Sequence, residues 1–369
     1  MIVRSVTLGS FRNYAALDFQ PSPGLNLIVG RNAQGKSNLL EAIAMLGTGK
    51  SFRTSRESEL VQHGQSLAFV NGVAELSHGS VTLSCRIVSA GGVTRKTYAV
   101  NGAPVRFASF LGSIKVVTFV PADLLLVTGP PSLRRAMLNA TLAQERATYY
   151  ADLARYAKHL AQKSAYLRTA TSPDPRLLAT YNALLAELAA RLLLARARYV
   201  TQLTRAAAAI HRRWIPGGAP LSAVYHPSPA LRDYAAGEAE LRLQIGAALE
   251  EALPRELARR QCLVGPHRDD VELLLGELPL AQFGSQGQQR TAVLALKSAE
   301  YAVLRERTGE APVLLLDDVL SELDAQRQEA FLGSVEGYEQ AFVTATALPA
   351  LEIGSAHYVV EGARLSRIR

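Results

Sequence analysis

The chain has 369 residues, with 40 Lys and Arg against 32 Asp and Glu and 48% hydrophobic residues. That length predicts roughly two to three domains, and the apolar content excludes a wholly disordered chain. Two cysteines, Cys85 and Cys262, exclude a disulfide scaffold and suit a reducing, cytoplasmic compartment. The opening MIVRSVTLGSF lacks the long apolar core of a signal peptide, and no run approaches about 18 uncharged apolar residues, so no membrane partner is expected. The net charge of +8 is unevenly spread. Residues 133–213 hold 14 basic and four acidic residues, a local +10 that leaves the rest of the chain at −2. Such an excess is a footprint for a polyanion such as DNA or RNA, although an arginine-rich solvated face gives the same composition.

In chain order, residues 2–8 alternate as a strand, 16–19 form a second short run, and LNLIV at 25–29 reads as a buried strand between Pro-Ser-Pro-Gly and glycine. From Ser37 the spacing of Leu39, Leu40, Ile43 and Leu46 predicts a helix. Residues 66–120 are strand-like, with turns expected at Asn71-Gly72, His78-Gly79, Ala90-Gly91-Gly92 and Asn101-Gly102. From 132 to 213 the chain is rich in Ala, Leu and Arg, and Pro173 and Pro175 divide it into two long helical stretches. Leu177, Tyr181, Leu184, Leu185, Leu188 and Leu192 make an apolar stripe expected at a helix–helix seam. A loop follows, then a helix near 234–260, and strands return at 271–275, 313–316 and 341–344 with a hairpin at 357–365. The expected fold is α/β. An ATP-binding lobe from residues 1–128 and 263–369 carries an inserted, basic helical lobe at 129–262.

Gly30-Arg31-Asn32-Ala33-Gln34-Gly35-Lys36-Ser37 matches the phosphate loop G-x-x-x-x-G-K-[ST] at every fixed position. The preceding strand and following helix supply its context: loop amides and a helix N-terminus face the phosphates, Lys36 reaches the β and γ groups, and Ser37 holds Mg²⁺. Far along the chain, the apolar run 313–316 ends in Asp317-Asp318. Asp317 is assigned to the metal and Asp318 to the general base that polarises the attacking water; an N-cap pair before a helix is the plain alternative. Ser285-Gln286-Gly287-Gln288 opens a helix and offers a second anion-binding end, suited to a γ-phosphate held by another copy. Ser321 could cap the next helix or, with Asp324, face a dimer seam.

That order of motifs resembles the ATP-binding-cassette (ABC-type) head. Phe11-Arg12-Asn13-Tyr14 resembles the subgroup acting on DNA. Gly265-Pro266-His267-Arg268-Asp269, Phe119-Val120-Pro121-Ala122-Asp123 and Arg134-Arg135 resemble the RecF recombination-repair family. The resemblance implies ATP bound by Gly30, Arg31, Asn32, Gln34, Gly35, Lys36, Ser37 and Asn38 together with Arg12 and Asn13. It also implies an ATP-dependent homodimer and slow, Mg²⁺-dependent hydrolysis. The implied partners are double-stranded or gapped DNA, RecR and RecO, and indirectly RecA; the implied location is the nucleoid. Asp123 falls in the loop linking nucleotide to the helical lobe, and Thr344 in the place of a γ-phosphate His, with strand-end capping equally open to both. A kinase catalytic loop is excluded because Leu274 stands five residues after Asp269. No zinc spacing and no Gly-x-Ser-x-Gly elbow occurs. A transporter's energy subunit and a metabolic kinase share the phosphate loop, but the former does not suit the Arg-rich insert and the latter has no use for Ser285-Gln286-Gly287-Gln288.

Overall fold

The computed structural model describes residues 1–231, 237–319, 338–347 and 355–369. Contacts divide it into unit 1, Met1–Leu124 with Lys297–Arg369, and unit 2, Leu125–Leu296. The expected return to the first lobe at 263 and this division at 297 differ because the strands in between pair within unit 2.

Unit 1 opens with β1 (Ile2–Phe11), β2 (Tyr14–Phe19), β3 (Gly24–Val29) and helix α1 (Lys36–Thr48). There follow β4 (Leu67–Leu76), β5 (Gly79–Ala90), β6 (Val93–Val100), β7 (Ala103–Val105), the single turn α2 (Phe107–Phe110) and β8 (Val116–Phe119). Unit 2 contains α3 (Leu125–Thr128), α4 (Pro131–Glu145), α5 (Ala147–Thr169), α6 (Pro175–Trp214), β9 (Leu221–His226) and α7 (Gly237–Arg259). It continues through β10 (Asp270–Leu275), β11 (Leu278–Pro279), α8 (Leu280–Phe283) and the start of α9 (Gln286–Thr308). The chain closes in unit 1 with β12 (Val313–Leu316), β13 (Gln340–Ala345), β14 (Ser355–Glu361) and β15 (Arg364–Arg367).

Two six-stranded sheets make unit 1: β2-β1-β4-β5-β6-β7, antiparallel, and β15-β14-β3-β13-β12-β8, parallel apart from the β15 edge. Their shared core includes Val6, Leu8, Val70 and Ile87 from one sheet and Ile28, Leu315 and Phe342 from the other. Helix α1 is buried in that core on every side, Ala42 and Met45 as well as Leu39, Leu40, Ile43 and Leu46. The one acid among these buried positions, Glu41, is paired with Arg12. Three of the four expected turns close hairpins; Asn71-Gly72 instead lies inside β4. A Cβ on Gly72 would come within 2.4 Å of the Leu46 side chain, so this glycine allows a close helix–sheet approach rather than a turn.

In unit 2, residues 131–214 form three helices, not two. The extra break is one extended residue, Arg146, with φ −137° and ψ 118°; Tyr149 beyond it hydrogen-bonds back to Asn139 at 2.7 Å. The seam on α6 is also rotated from its expected line. Leu178, Leu185, Leu188 and Leu192 are buried while Leu177 is exposed. By length and composition α6 could cross a membrane, with an 18-residue window of mean hydropathy 1.4, but half of that window is buried inside unit 2. Strand β10 pairs with β9 and β11 in a separate small sheet.

Two buried polar clusters hold unit 2 together. Arg196 donates to Asp269 at 2.7 Å, to the Pro266 carbonyl at 2.6 Å and to Asn139 at 2.9 Å. Asp269 also accepts from the Tyr225 hydroxyl and the Ser228 amide. The Gly265–Asp269 run is therefore an internal fastening. In the second cluster, fully buried Lys163 donates to Asn182 at 2.7 Å and to Glu256 at 2.6 Å, and Glu256 accepts from the Leu263 amide. Lys163→Met would leave the Glu256 carboxylate buried without its cation. Such a break costs about 3–5 kcal/mol, and a lowered denaturant midpoint, largely restored in Lys163→Met/Glu256→Met, is the expected result.

Candidate nucleotide site

Strand β3 lies between β13 and β14, so the loop that follows it leaves the middle of the parallel sheet. A Cβ on Gly30 would fall 2.4 Å from the Val360 carbonyl oxygen of β14. Gly35 has φ 121° and faces Asn13 and the Tyr14 hydroxyl at 2.9–3.0 Å from a Cβ position. Both glycines are thus required by their surroundings. The Lys36 ammonium folds over the loop and donates to the carbonyls of Gly30 at 2.6 Å and Arg31 at 3.1 Å. Burial pulls its pKa below the ordinary lysine value, against the raising effect of Asp318 and Asp317. The Arg31 and Asn32 side chains are exposed at the loop's tip.

The loop is supported from two directions that sequence order conceals. Gln34 accepts the Gly362 amide on its side-chain oxygen at 2.6 Å, and its carbonyl accepts the Ala363 amide at 3.1 Å. The turn between β14 and β15 therefore clamps the loop. From the β1–β2 turn, Asn13 donates to the Gln34 carbonyl at 3.0 Å and accepts from Asn38 at 2.7 Å. Arg12, expected among the ATP-binding groups, forms a two-pronged pair with the fully buried Glu41 of α1, at 2.8 and 2.7 Å. That pairing fixes the turn, in which Arg12 itself has φ 53°. Arg53 reaches Asn38 at 2.5 Å. A cavity of about 630 Å³ opens here, lined among others by Arg12, Asn13, Asn38, Arg53, Glu59 and Gln62.

The acidic pair meets the loop as the motif order requires. Ser37 donates to Asp317 Oδ1 at 2.7 Å across 280 residues of chain. Thr344, at the end of β13, is fully buried and donates to the same carboxylate oxygen at 2.9 Å; its hydroxyl accepts the Asp318 amide at 2.8 Å. The parallel register that sets Leu316 beside Val343 puts Thr344 next to Asp317. Asp318 has a left-handed backbone, φ 52°. Such a conformation in a non-glycine residue marks a site where surrounding contacts override local preference. A hydroxyl and a carboxylate converging beside a phosphate loop are a hard-oxygen donor pair, which fits Mg²⁺.

Ser285 and Gln288 lie in unit 2 and form a reciprocal cap on α9. The Ser285 amide donates to the Gln288 side chain at 2.8 Å, and the Gln288 amide donates to Ser285 Oγ at 3.3 Å. Both side chains and that of Gln286 are exposed, and Gly287 is half-buried. Asp123 accepts the Val120 amide at 2.9 Å and so closes the turn after β8. Burial raises its pKa against the opposing charge of Lys297. Ser321 and Asp324 lie outside the described residues. Glu41, Arg53 and the Gly362-Ala363 turn carry no sequence signal of their own, since only the tertiary fold brings them to the loop.

Fold and site together define an ABC-type P-loop ATPase head. Residues 2–364 match the family described as the RecF/RecN/SMC N-terminal domain. Over 371 aligned residues the chain is 36% identical to a DNA replication and repair protein RecF of Staphylococcus haemolyticus, covering 100% of this chain and 98% of that one. It is 40% identical to a RecF of Symbiobacterium thermophilum, over 96% and 93% of the two chains. A solved structure of the recombination mediator protein RecF with ATP, in the RecFOR pathway, superposes with a TM-score of 0.92 at 32% identity, covering 100% of this chain and 98% of that one. The chain belongs to the RecF family.

Proposed function

We propose that this protein is an ATP-switched DNA-binding protein of recombinational repair, with unit 1 serving as the ATP-binding lobe and the basic helices of unit 2 as the DNA-binding lobe. The convergence of Ser37, Asp317, Thr344 and Asp318 beside Lys36 carries the proposal. Gly30, Gly35 and the amides at the start of α1 receive the phosphates, with Arg31, Asn32, Gln34 and Asn38 shaping the loop and Arg12 and Asn13 anchoring its flank. Ser37 and Asp317 hold Mg²⁺, which neutralises phosphate charge when bound. Thr344 orients the Asp317 carboxylate and the Asp318 backbone, and Asp318 accepts the proton of the attacking water.

Ser285-Gln286-Gly287-Gln288 caps the γ-phosphate held by a second copy, so that ATP joins two molecules and slow, DNA-stimulated hydrolysis parts them. Ser321, Asp324 and Asp123 are assigned to that seam and to the linking loop. Duplex or gapped DNA, RecR and RecO, and through them RecA, are the partners, consistent with the RecFOR pathway named for the solved relative; the nucleoid is the place of action. Light scattering with ATP and Mg²⁺ is expected to show a dimer. Ser285→Arg should bind ATP yet remain a monomer. Wild-type dimerisation of that variant would remove the partner role of the α9 cap.

A further inference from the structure

Helix α6 carries a feature that charge counting hides. Exposed arginines stand at 198, 205 and 212, each seven residues from the next. Seven residues make 700° of rotation, about 20° short of two full turns, and advance about 10.5 Å. The three side chains therefore leave the helix along one nearly straight line about 21 Å long. On the opposite side Leu203, Ala207, Ile210 and His211 are buried, and Thr204 bonds to the Ala223 carbonyl of β9. The row thus lies on the solvent face.

Its charge is left available. Arg191, one step earlier in the same heptad, is neutralised by Asp152, Glu187 and Glu238. Past it, α6 has no Asp or Glu through Trp214. Among the described residues Arg198, Arg205 and Arg212 form no hydrogen bond or ion pair. Between them the surface shows Thr201, Gln202 and Ala209, polar or small, with no large apolar anchor of the kind a protein partner needs. Arginine flanked by hydroxyl and amide side chains is the make-up of phosphate-backbone contacts, which hold the duplex without reading its sequence.

We infer that Arg198, Arg205 and Arg212 form a rail that lies against the phosphates of duplex DNA, parallel to the duplex axis, over about six base pairs at 3.4 Å each. This rests on the DNA-binding reading given above and names the surface that performs it.

The test compares three full-length proteins with ATP and Mg²⁺ on a 30-base-pair duplex, measuring affinity from 50 to 200 mM salt. They are wild type, Arg198→Ala/Arg205→Ala/Arg212→Ala, and a charge-matched control on α5, Arg155→Ala/Lys158→Ala/Arg168→Ala. Losing three phosphate contacts lowers the log–log salt slope by about 2.7. Over that range the wild type should then lose about 40-fold more affinity than the rail variant. The control should stay within one slope unit of wild type, and all three should bind ATP equally. Equal slopes for wild type and the rail variant overturn the rail while leaving DNA binding intact. Equal slope losses in both variants also overturn it, because the effect would then be one of overall charge. A wild type that binds no duplex at any salt overturns the DNA-binding reading and the rail with it.

Discussion

Asp318→Asn is expected to bind ATP as wild type does, to release phosphate at least a hundredfold more slowly, and to accumulate as the ATP-dependent dimer. Both aspartates lie just past the end of β12 at Leu316. Asp317 is turned towards Ser37, at 2.7 Å, while the Asp318 backbone is pinned in its left-handed conformation by Thr344. Its charge opposes the burial that lowers the Lys36 pKa, as the charge of Asp317 does. A positioned general base contributes about 10²–10⁴-fold to rate. Asparagine keeps the shape and tolerates positive φ, but it cannot take a proton. Single-turnover phosphate release and light scattering give the two readings, and undiminished release would place the base elsewhere.

Lys36→Met is expected to weaken ATP binding about a hundredfold or more and to abolish ATP-induced dimers, leaving the fold in place. Methionine fills a similar volume in this buried position, so the melting temperature should move little. What is lost is the ammonium. Hydrogen bonds to charged groups contribute about 1.5–3 kcal/mol each, and two of them account for the expected loss. In the structure the same ammonium bridges the Gly30 and Arg31 carbonyls, so the variant should also relax the loop, seen as faster amide exchange at residues 30–35. Equilibrium titration with ATP decides the matter. An affinity within threefold of wild type would show that the backbone amides alone hold the phosphates.

The phosphate loop, its strand and its helix were legible because each is local: LNLIV, a glycine-bounded turn and an apolar helix run within 24 residues. Asp317 was legible for the same reason, as the end of an uninterrupted apolar run. Thr344 was only half legible. Its place depends on the β12–β13 register, which is set by pairing across the sheet and not by neighbouring residues. Arg12 shows the reverse problem. Its motif carried a family resemblance but no sign of its partner, Glu41, a buried acid in a helix read only from the spacing of its leucines and isoleucine. Asn71-Gly72 misled because Asn-Gly has two uses, and only the packing of Leu46 against β4 selects the one seen here. On α6, periodicity located the seam to within one residue, and the shift from Leu177 to Leu178 reflects how a 40-residue helix turns its face between different neighbours.

The clamp on Gln34 also bears on the order in which the protein is made. Its two hydrogen bonds come from Gly362 and Ala363, and the strand flanking the loop on that side, β14, begins at Ser355. A ribosome that has finished the whole phosphate-loop motif still has more than 300 residues to add before those supports exist. Nascent and prematurely ended chains therefore carry the motif without the contacts that hold Gln34. On the proposed function, chains ended before β14 are expected to bind nucleotide weakly and so to be left out of ATP-joined pairs.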